Sequence, residues 1–81
     1  MTPRQAYIHS ILNRKDLEKV EKCSCYFCVE VFPAKEIVEW MEDGETAICP
    51  RCGVDAILPG EISKKDLVKC CKAWFTKPST F

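Results

Sequence analysis

The chain has 81 residues, of which 47% are hydrophobic and 30% charged, and its 12 basic and 12 acidic side chains cancel. This length predicts one domain over residues 1–81, and the balance of apolar and charged residues excludes intrinsic disorder. Because the net charge is zero, the general attraction of a basic protein for nucleic acid or for an anionic membrane is missing. Seven cysteines in so short a chain are the strongest feature of the composition.

The N-terminal region predicts two short helices. Its first residues are polar and no long apolar segment follows them, so the sequence predicts a cytoplasmic protein without a membrane span. Thr2, Pro3 and Gln5 have the form of a helix-capping box, which begins a first helix over residues 3–13. The apolar stripe of this helix consists of Tyr7, Ile8, Ile11 and Leu12. A second helical piece is predicted over residues 16–22.

The middle of the chain alternates between strand and helix patterns. Residues 23–32 are rich in β-branched and aromatic side chains, which predicts a cysteine knuckle and a short strand that Pro33 ends. Over residues 33–42 the apolar positions recur with helical spacing, which predicts an amphipathic helix. The outer face of this helix is acidic and carries Glu36, Glu39 and Glu42. Residues 46–48 and 54–58 are predicted to pair as a β-hairpin with cysteines at its tip.

The C-terminal segment predicts one more helix. Ser63, followed by Asp66 three residues later, is a typical helix start, and the helix is expected to stop before Pro78. The apolar side chains at helical spacing are Leu67, Val68, Cys71, Trp74 and Phe75. We expect the core to contain Trp40, Trp74, Phe75, Ile57 and the first helix. Cys70 and Cys71 are expected to pack in the core rather than to bind a metal.

Two C-x-x-C elements, separated by twenty residues, predict a four-cysteine zinc site. The expected ligands are Cys25, Cys28, Cys49 and Cys52. In such a tight turn both thiolates point at one ion, and a glycine after the second cysteine permits the positive φ that the turn often needs. Gly53 supplies this glycine in the second element, whereas Val29 stands at the matching place in the first.

Other uses of these thiols stay open from the sequence. Cys23 places a third thiol beside the first element, so a ligand set with Cys23 in place of Cys25 is the alternative to the favoured one. A buried apolar cysteine cluster and a dithiol that cycles with a disulfide are alternatives without zinc. Because a structural zinc contributes about 10 kcal/mol or more and a core this small only a few, zinc is the expected main stabilising element.

The segment Cys49-Pro50-Arg51-Cys52-Gly53 resembles the second knuckle of zinc-ribbon and rubredoxin-like proteins. More broadly, the chain looks like a widespread family of small bacterial cytoplasmic proteins whose function is uncharacterised. That resemblance is carried by residues 23–28, 37–40, 46–55 and 74–75. It implies a bacterial or phage origin, four-cysteine metal binding and an intracellular setting, and it carries no activity.

These features predict a non-catalytic protein whose expected partner is another protein. The acidic residues Glu36, Glu39 and Glu42 beside Trp40 form the candidate docking face. The alternative is a nucleic-acid-binding zinc ribbon that uses Arg51, Tyr26 and Phe27, which the acidic middle segment and the thiolate charge disfavour. Iron in the same cage, as in a rubredoxin-type electron carrier, is the less favoured alternative.

Catalysis is not expected from this sequence. A catalytic zinc keeps an open coordination position, whereas two cysteine knuckles close the shell. His9 is the only histidine, and it projects from the polar side of the first predicted helix. The predicted fold class is α+β: a small zinc-ribbon, rubredoxin-like β-hairpin core with N- and C-terminal helices and a helix between the two knuckles.

Overall fold

The computed structural model describes residues 1–75 and shows an α+β fold, which confirms the predicted class. Its helices are α1 (Pro3–His9), α2 (Arg14–Glu18) and α3 (Lys64–Trp74). The strands are β1 (Lys22–Cys25), β2 (Glu30–Pro33), β3 (Glu39–Trp40), β4 (Ala47–Ile48) and β5 (Ile57–Pro59), and a 3₁₀ turn spans Ala34–Glu36. One antiparallel sheet has the order β2-β1-β5, and β3 and β4 pair as a second sheet.

The strand β1 lies at the centre of the larger sheet. It forms a hairpin with β2 that places Cys25 opposite Glu30, and it pairs with β5 so that Cys25 also lies opposite Ile57. The Ser24 hydroxyl donates to the Gly60 carbonyl at 2.9 Å and accepts from the Ile62 amide, also at 2.9 Å. These bonds attach the chain beyond β5 to the central strand.

The helix α1 is shorter than predicted and buries a different face. The capping box is confirmed, because the Thr2 hydroxyl accepts from the Gln5 amide and the Gln5 side chain accepts from the Thr2 amide. The helix ends at His9 instead of residue 13, and the chain turns through Leu12 with φ +48°. The buried side chains are those of Ala6, Ser10 and Asn13. The predicted apolar stripe of Tyr7, Ile8, Ile11 and Leu12 is exposed instead.

The small Ala6 explains this inversion. Helix α1 packs against α3 and β5, and a helix face with a small side chain lets the backbones approach closely. The Trp74 indole N–H donates to the Pro3 carbonyl at 2.6 Å, across the contact between the helices. Apolar spacing alone therefore identified the wrong face of this helix.

No helix forms over residues 33–42, which corrects the prediction of a helix between the knuckles. The 3₁₀ turn ends at Glu36, Ile37 is extended, and β3 pairs with β4 through Glu39 opposite Ile48. Ile37 is buried and Val38 is exposed, as expected for an extended chain whose side chains alternate between faces. The β-branched pair Ile37 and Val38 favours this conformation, and pairing with β4 decides it.

The predicted hairpin of residues 46–48 and 54–58 is also wrong. Strand β4 pairs with β3, whereas β5 pairs with β1 in the other sheet. Only a short knuckle joins the two segments, with the Cys49 amide bonded to the Val54 carbonyl at 3.0 Å. Because Ile57 and Leu58 are completely buried, β5 gains more from a place beside the central strand than from pairing with β4.

The other two helices follow the predictions in part. Helix α2 overlaps the predicted range of residues 16–22, but it begins earlier, at Arg14, and ends earlier, at Glu18. Helix α3 is capped as predicted, since the Ser63 hydroxyl accepts from the Asp66 amide at 3.3 Å. It ends at Trp74, and Pro78 lies outside the described residues. Within residues 1–75, no helix has the length and apolar character needed to cross a bilayer.

The core agrees with the prediction at Ile57 and Cys70 and differs from it at Trp74 and Cys71. Trp40 and Phe75 are partly buried and pack against the core. Trp74 is 45% exposed and Trp40 is half-buried, whereas Ile57 is buried as expected. In α3 the buried residues are Leu67 and Cys70, and Cys71 is only half-buried. The largest fully buried apolar side chains are Phe32, Ile57, Leu58 and Leu67, on β2, β5 and α3. The core therefore lies between the larger sheet and the helices.

Candidate metal centre

The four predicted cysteines come together at one point. Sγ of Cys25 lies 3.6 Å from Sγ of Cys52, and Sγ of Cys28 lies 3.9 Å from Sγ of Cys49. All four sulfur atoms lie within 4.8 Å of one another. In a regular tetrahedron with metal–sulfur bonds of 2.3 Å, neighbouring sulfurs are about 3.8 Å apart. The cluster therefore has the dimensions of a four-thiolate metal site.

Two separate parts of the chain position these sulfurs. Cys25 is the last residue of β1 and Cys28 lies in the turn between β1 and β2, whereas Cys49 and Cys52 lie in the loop after β4. The Tyr26 amide donates to the Ala56 carbonyl at 3.0 Å, which holds the first turn against the chain that follows the second. The cluster thus joins the β1–β2 hairpin to the β4–β5 connection.

The two knuckles share a left-handed residue after their second cysteine. Gly53 has φ +77°, and Val29 has φ +58°. A glycine adopts this conformation without steric cost, whereas a β-branched residue does so only under strain. The valine therefore adopts, at this position, the left-handed conformation that the glycine adopts in the second turn.

The thiols differ in how their surroundings treat a negative charge. Burial raises the pKa of Cys28 to about 12 and raises that of Cys25 further. Burial also acts on Cys49, but the backbone amides of Arg51 and Cys52 outweigh it and lower the pKa of that thiol. The Arg51 amide donates to Sγ of Cys49 at 3.4 Å. A divalent cation supplies the compensation that buried thiolates otherwise lack.

Cys23 lies outside the cluster. It is on the same face of β1 as Cys25, two residues and so about 7 Å farther along the strand. Its Sγ donates to the Phe32 carbonyl at 3.7 Å, and burial raises its pKa to about 12. The geometry therefore brings Cys25, and not Cys23, to the other three cysteines.

Arg51 connects the second knuckle to the β1–β2 hairpin. Its guanidinium lies 3.1 Å from a Glu30 carboxylate oxygen and 3.3 Å from one of Glu36. The same group lies 5.0 Å above the ring of Phe32. Both carboxylates compete with any phosphate for this cation. Of the two predicted stacking residues, Tyr26 is only 3% exposed and Phe27 is 41% exposed.

The predicted acidic docking face is not a helix face. Glu36 is in the 3₁₀ turn and is paired with Arg51, Glu39 belongs to β3, and Glu42 follows that strand. The three glutamates were grouped only by helical spacing, and this segment is not helical. One of the three charges is already neutralised within the protein.

Asn13 is a buried residue whose role the sequence did not show. Its amide donates to the carbonyls of His9 at 3.1 Å and Ile57 at 2.8 Å, and its oxygen accepts from the Ala47 amide at 3.2 Å. It therefore connects the end of α1 to β4 and β5, the strands on either side of the second knuckle. The only indication of this role in the sequence was that Asn13 is a polar residue at the end of the predicted apolar stripe.

Comparisons of the chain with protein families, with curated proteins and with solved structures find no match. The four-cysteine cluster, with a left-handed residue after the second cysteine of each turn, is the observation that agrees with a zinc-knuckle-like site.

Proposed function

We propose that this chain is a non-catalytic protein-binding module built around a structural zinc ion. The observation that carries the proposal is the cluster of four cysteine sulfurs from two separate loops, all within 4.8 Å of one another. Four protein ligands fill the coordination shell of zinc, as in structural sites, whereas catalytic sites keep one position for water or substrate. The ion would hold the two loops together.

Zinc is preferred over iron because a closed four-cysteine shell is its usual structural site. Iron fits the same sulfur geometry and would instead make a one-electron carrier. The two are distinguished by colour and by a reversible one-electron couple, since zinc has neither.

The metal proposal is tested by metal content and cysteine variants. Protein purified under reducing conditions is expected to contain one zinc per chain, and Cys49→Ser and Cys52→Ser are expected to lose the metal and the ordered fold. Cys71→Ser is the matched control, since Sγ of Cys71 lies outside the cluster and contacts the Phe27 carbonyl at 3.5 Å. A folded, metal-loaded Cys49→Ser variant would overturn the ligand assignment, and bound iron would replace the zinc proposal.

Exposed apolar residues in the last turn of α1 and just after it support the proposed binding of a protein. Ile8 is 52% exposed and Leu12 is 66% exposed, and both lie on the outer side of the segment whose inner side buries Ala6 and Ser10. Exposed apolar side chains are candidates for an interaction site where they form a continuous patch. This pair replaces the acidic helix face as the preferred docking surface.

Capture of partners from a cell extract tests this surface. The double variant Ile8→Lys with Leu12→Lys is expected to lose bound proteins that the wild type retains, because two lysines there cannot be desolvated without cost. Arg4→Ala, an exposed position on the same helix, is the control. If the double variant keeps its metal and captures the same proteins, this surface is not the binding site. Loss of capture on charge reversal at Glu36, Glu39 and Glu42 would favour the acidic residues instead.

A further inference from the structure

A cleft with aromatic walls lies where α1 meets the end of α3. Its volume is about 200 Å³. It is lined by four aromatic residues and by Ser10, Ile11 and Asp55; the aromatic residues are Tyr7, Tyr26, Trp74 and Phe75. Clefts that hold drug-sized ligands measure about 300–1,000 Å³, so this one has room for a smaller group.

The walls of the cleft consist of two pairs of aromatic rings. The ring centres of Tyr7 and Trp74 are 5.3 Å apart, and those of Tyr26 and Phe75 are 5.6 Å apart. The hydrogen bond from the Trp74 indole to the Pro3 carbonyl fixes the first pair. The face of an aromatic ring carries partial negative charge, which attracts a cation placed against it. Tyr26 is only 3% exposed, so the aromatic surface available to such a group is mainly that of Tyr7 and Trp74, which are about half exposed.

The polar groups of the cleft also favour a cation. Asp55 is exposed, and among residues 1–75 no hydrogen bond or ion pair engages its carboxylate. The Ser10 hydroxyl donates to the Tyr7 carbonyl at 2.9 Å, so in its 3.1 Å contact with Tyr26 the tyrosine hydroxyl is the donor. The tyrosine oxygen keeps its lone pairs as acceptors. No lysine or arginine of the described residues lines the cleft.

We infer that this cleft binds a small alkylammonium ion. The methyl or methylene groups of such an ion contact the aromatic faces, and the Asp55 carboxylate balances its charge. A neutral apolar ligand leaves that carboxylate partly desolvated without a partner. A hard metal cation requires several oxygen ligands, and the cleft offers one carboxylate. The inference is independent of the proposed metal and protein-binding roles.

The test compares choline with its neutral carbon isostere, 3,3-dimethyl-1-butanol. Both are titrated into the metal-loaded protein at constant ionic strength, and binding is followed by the NMR signals of the Trp74 indole and of the backbone around the cleft. The two probes have nearly the same shape, so only charge separates them. Choline is expected to bind at least about tenfold more tightly, the size of the cation–π contribution.

Two variants and one control complete the test. Asp55→Asn is expected to weaken choline binding severalfold, whereas Glu42→Gln, which removes one negative charge elsewhere on the surface, leaves it unchanged. Trp74→Leu is expected to weaken binding more than Trp74→Phe, which keeps an aromatic ring but loses the bond to the Pro3 carbonyl. Equal affinity for choline and the isostere, or no saturable shift at the cleft signals, overturns the inference. Equal weakening by Asp55→Asn and Glu42→Gln also overturns it, since the effect is then one of net charge.

Discussion

Val29 and Gly53 show how strongly the metal site constrains single residues. Both are in the left-handed region, although for valine that conformation is strained. Such strain persists where the surroundings leave no other conformation, and the adjacent Cys28 and Cys52 supply that constraint. The cysteine spacing predicted both knuckles, and both are found in the cluster. Residue preferences predicted the left-handed residue only at Gly53 and not at Val29.

Replacement of Gly53 tests this constraint. A Cβ built there meets no atom within 4 Å, so a substitution changes the backbone energy and nothing else. Gly53→Ala is expected to lower the free energy of unfolding by about 1–2 kcal/mol, the cost of a left-handed L-residue. Gly53→Asn is expected to cost less, since asparagine tolerates this conformation. Chemical denaturation of the metal-loaded proteins measures both. Equal losses for Ala and Asn would contradict the explanation by strain.

Asn13 provides a second test at the residue scale. Asn13→Ala removes three hydrogen bonds and leaves the buried Ile57 carbonyl and Ala47 amide without a partner, so about 2–4 kcal/mol of unfolding free energy is expected to be lost. Asn13→Asp is expected to cost at least as much near neutral pH, because a carboxylate faces two carbonyl oxygens. Denaturant titration compares the two variants. A nearly neutral Asn13→Asp would show that a donor is not required here.

At the scale of elements, local sequence signals predicted where helices and strands begin or end better than they predicted which strands pair. The cap at Thr2, the cap at Ser63 and the strand end at Pro33 are confirmed, since each depends on side chains within a few residues. The partners of β4 and β5 were predicted wrongly, because burial and not proximity decides them. The apolar spacing of residues 33–42 fitted a helix, and pairing with β4 overrode it.

Arg51 is the expected link between the second knuckle and the β1–β2 hairpin. Arg51→Ala is expected to lower the thermal midpoint of unfolding, since both carboxylates lose their partner while the backbone amide still donates to Sγ of Cys49. The thermal midpoint of Arg51→Lys is expected to lie between those of the wild type and Arg51→Ala, because one ammonium group does not reproduce the forked hydrogen bonds of a guanidinium.

Salt separates the two contributions of Arg51. The ionic part of the loss is expected to shrink in about 1 M salt, where the Debye length falls to about 3 Å, and the part due to packing on Phe32 is expected to remain. Arg4→Ala, on the exposed side of α1, is the control. If the change in the thermal midpoint does not depend on salt, the ion pairs of Arg51 do not contribute to stability.

For the whole molecule, the four-cysteine cluster was the most predictable feature. Each C-x-x-C element brings two cysteines together locally, and the fold then brings the two pairs within 4.8 Å of each other. The α+β class follows from the same sequence patterns. The order of the strands could not be predicted from these patterns, because it depends on which segments become most completely buried.

Removal of the metal tests the whole-molecule account. A strong chelator under reducing conditions is expected to abolish the near-ultraviolet circular dichroism and the dispersed NMR spectrum, and added zinc is expected to restore both. The bound ion contributes about 10–16 kcal/mol in comparable sites, more than a core of this size supplies. A metal-free protein that keeps a dispersed spectrum would show that the core suffices without the ion.

The central place of β1 has a consequence for folding kinetics. Its pairing with β2 closes a short hairpin that forms in about microseconds, whereas β5 joins from more than thirty residues along the chain. An ion that arrives early therefore meets Cys25 and Cys28 first and is held by half of its ligands. Capture by Cys49 and Cys52 then closes the longer loop, so the rate of refolding should depend on zinc concentration until the first pair is saturated.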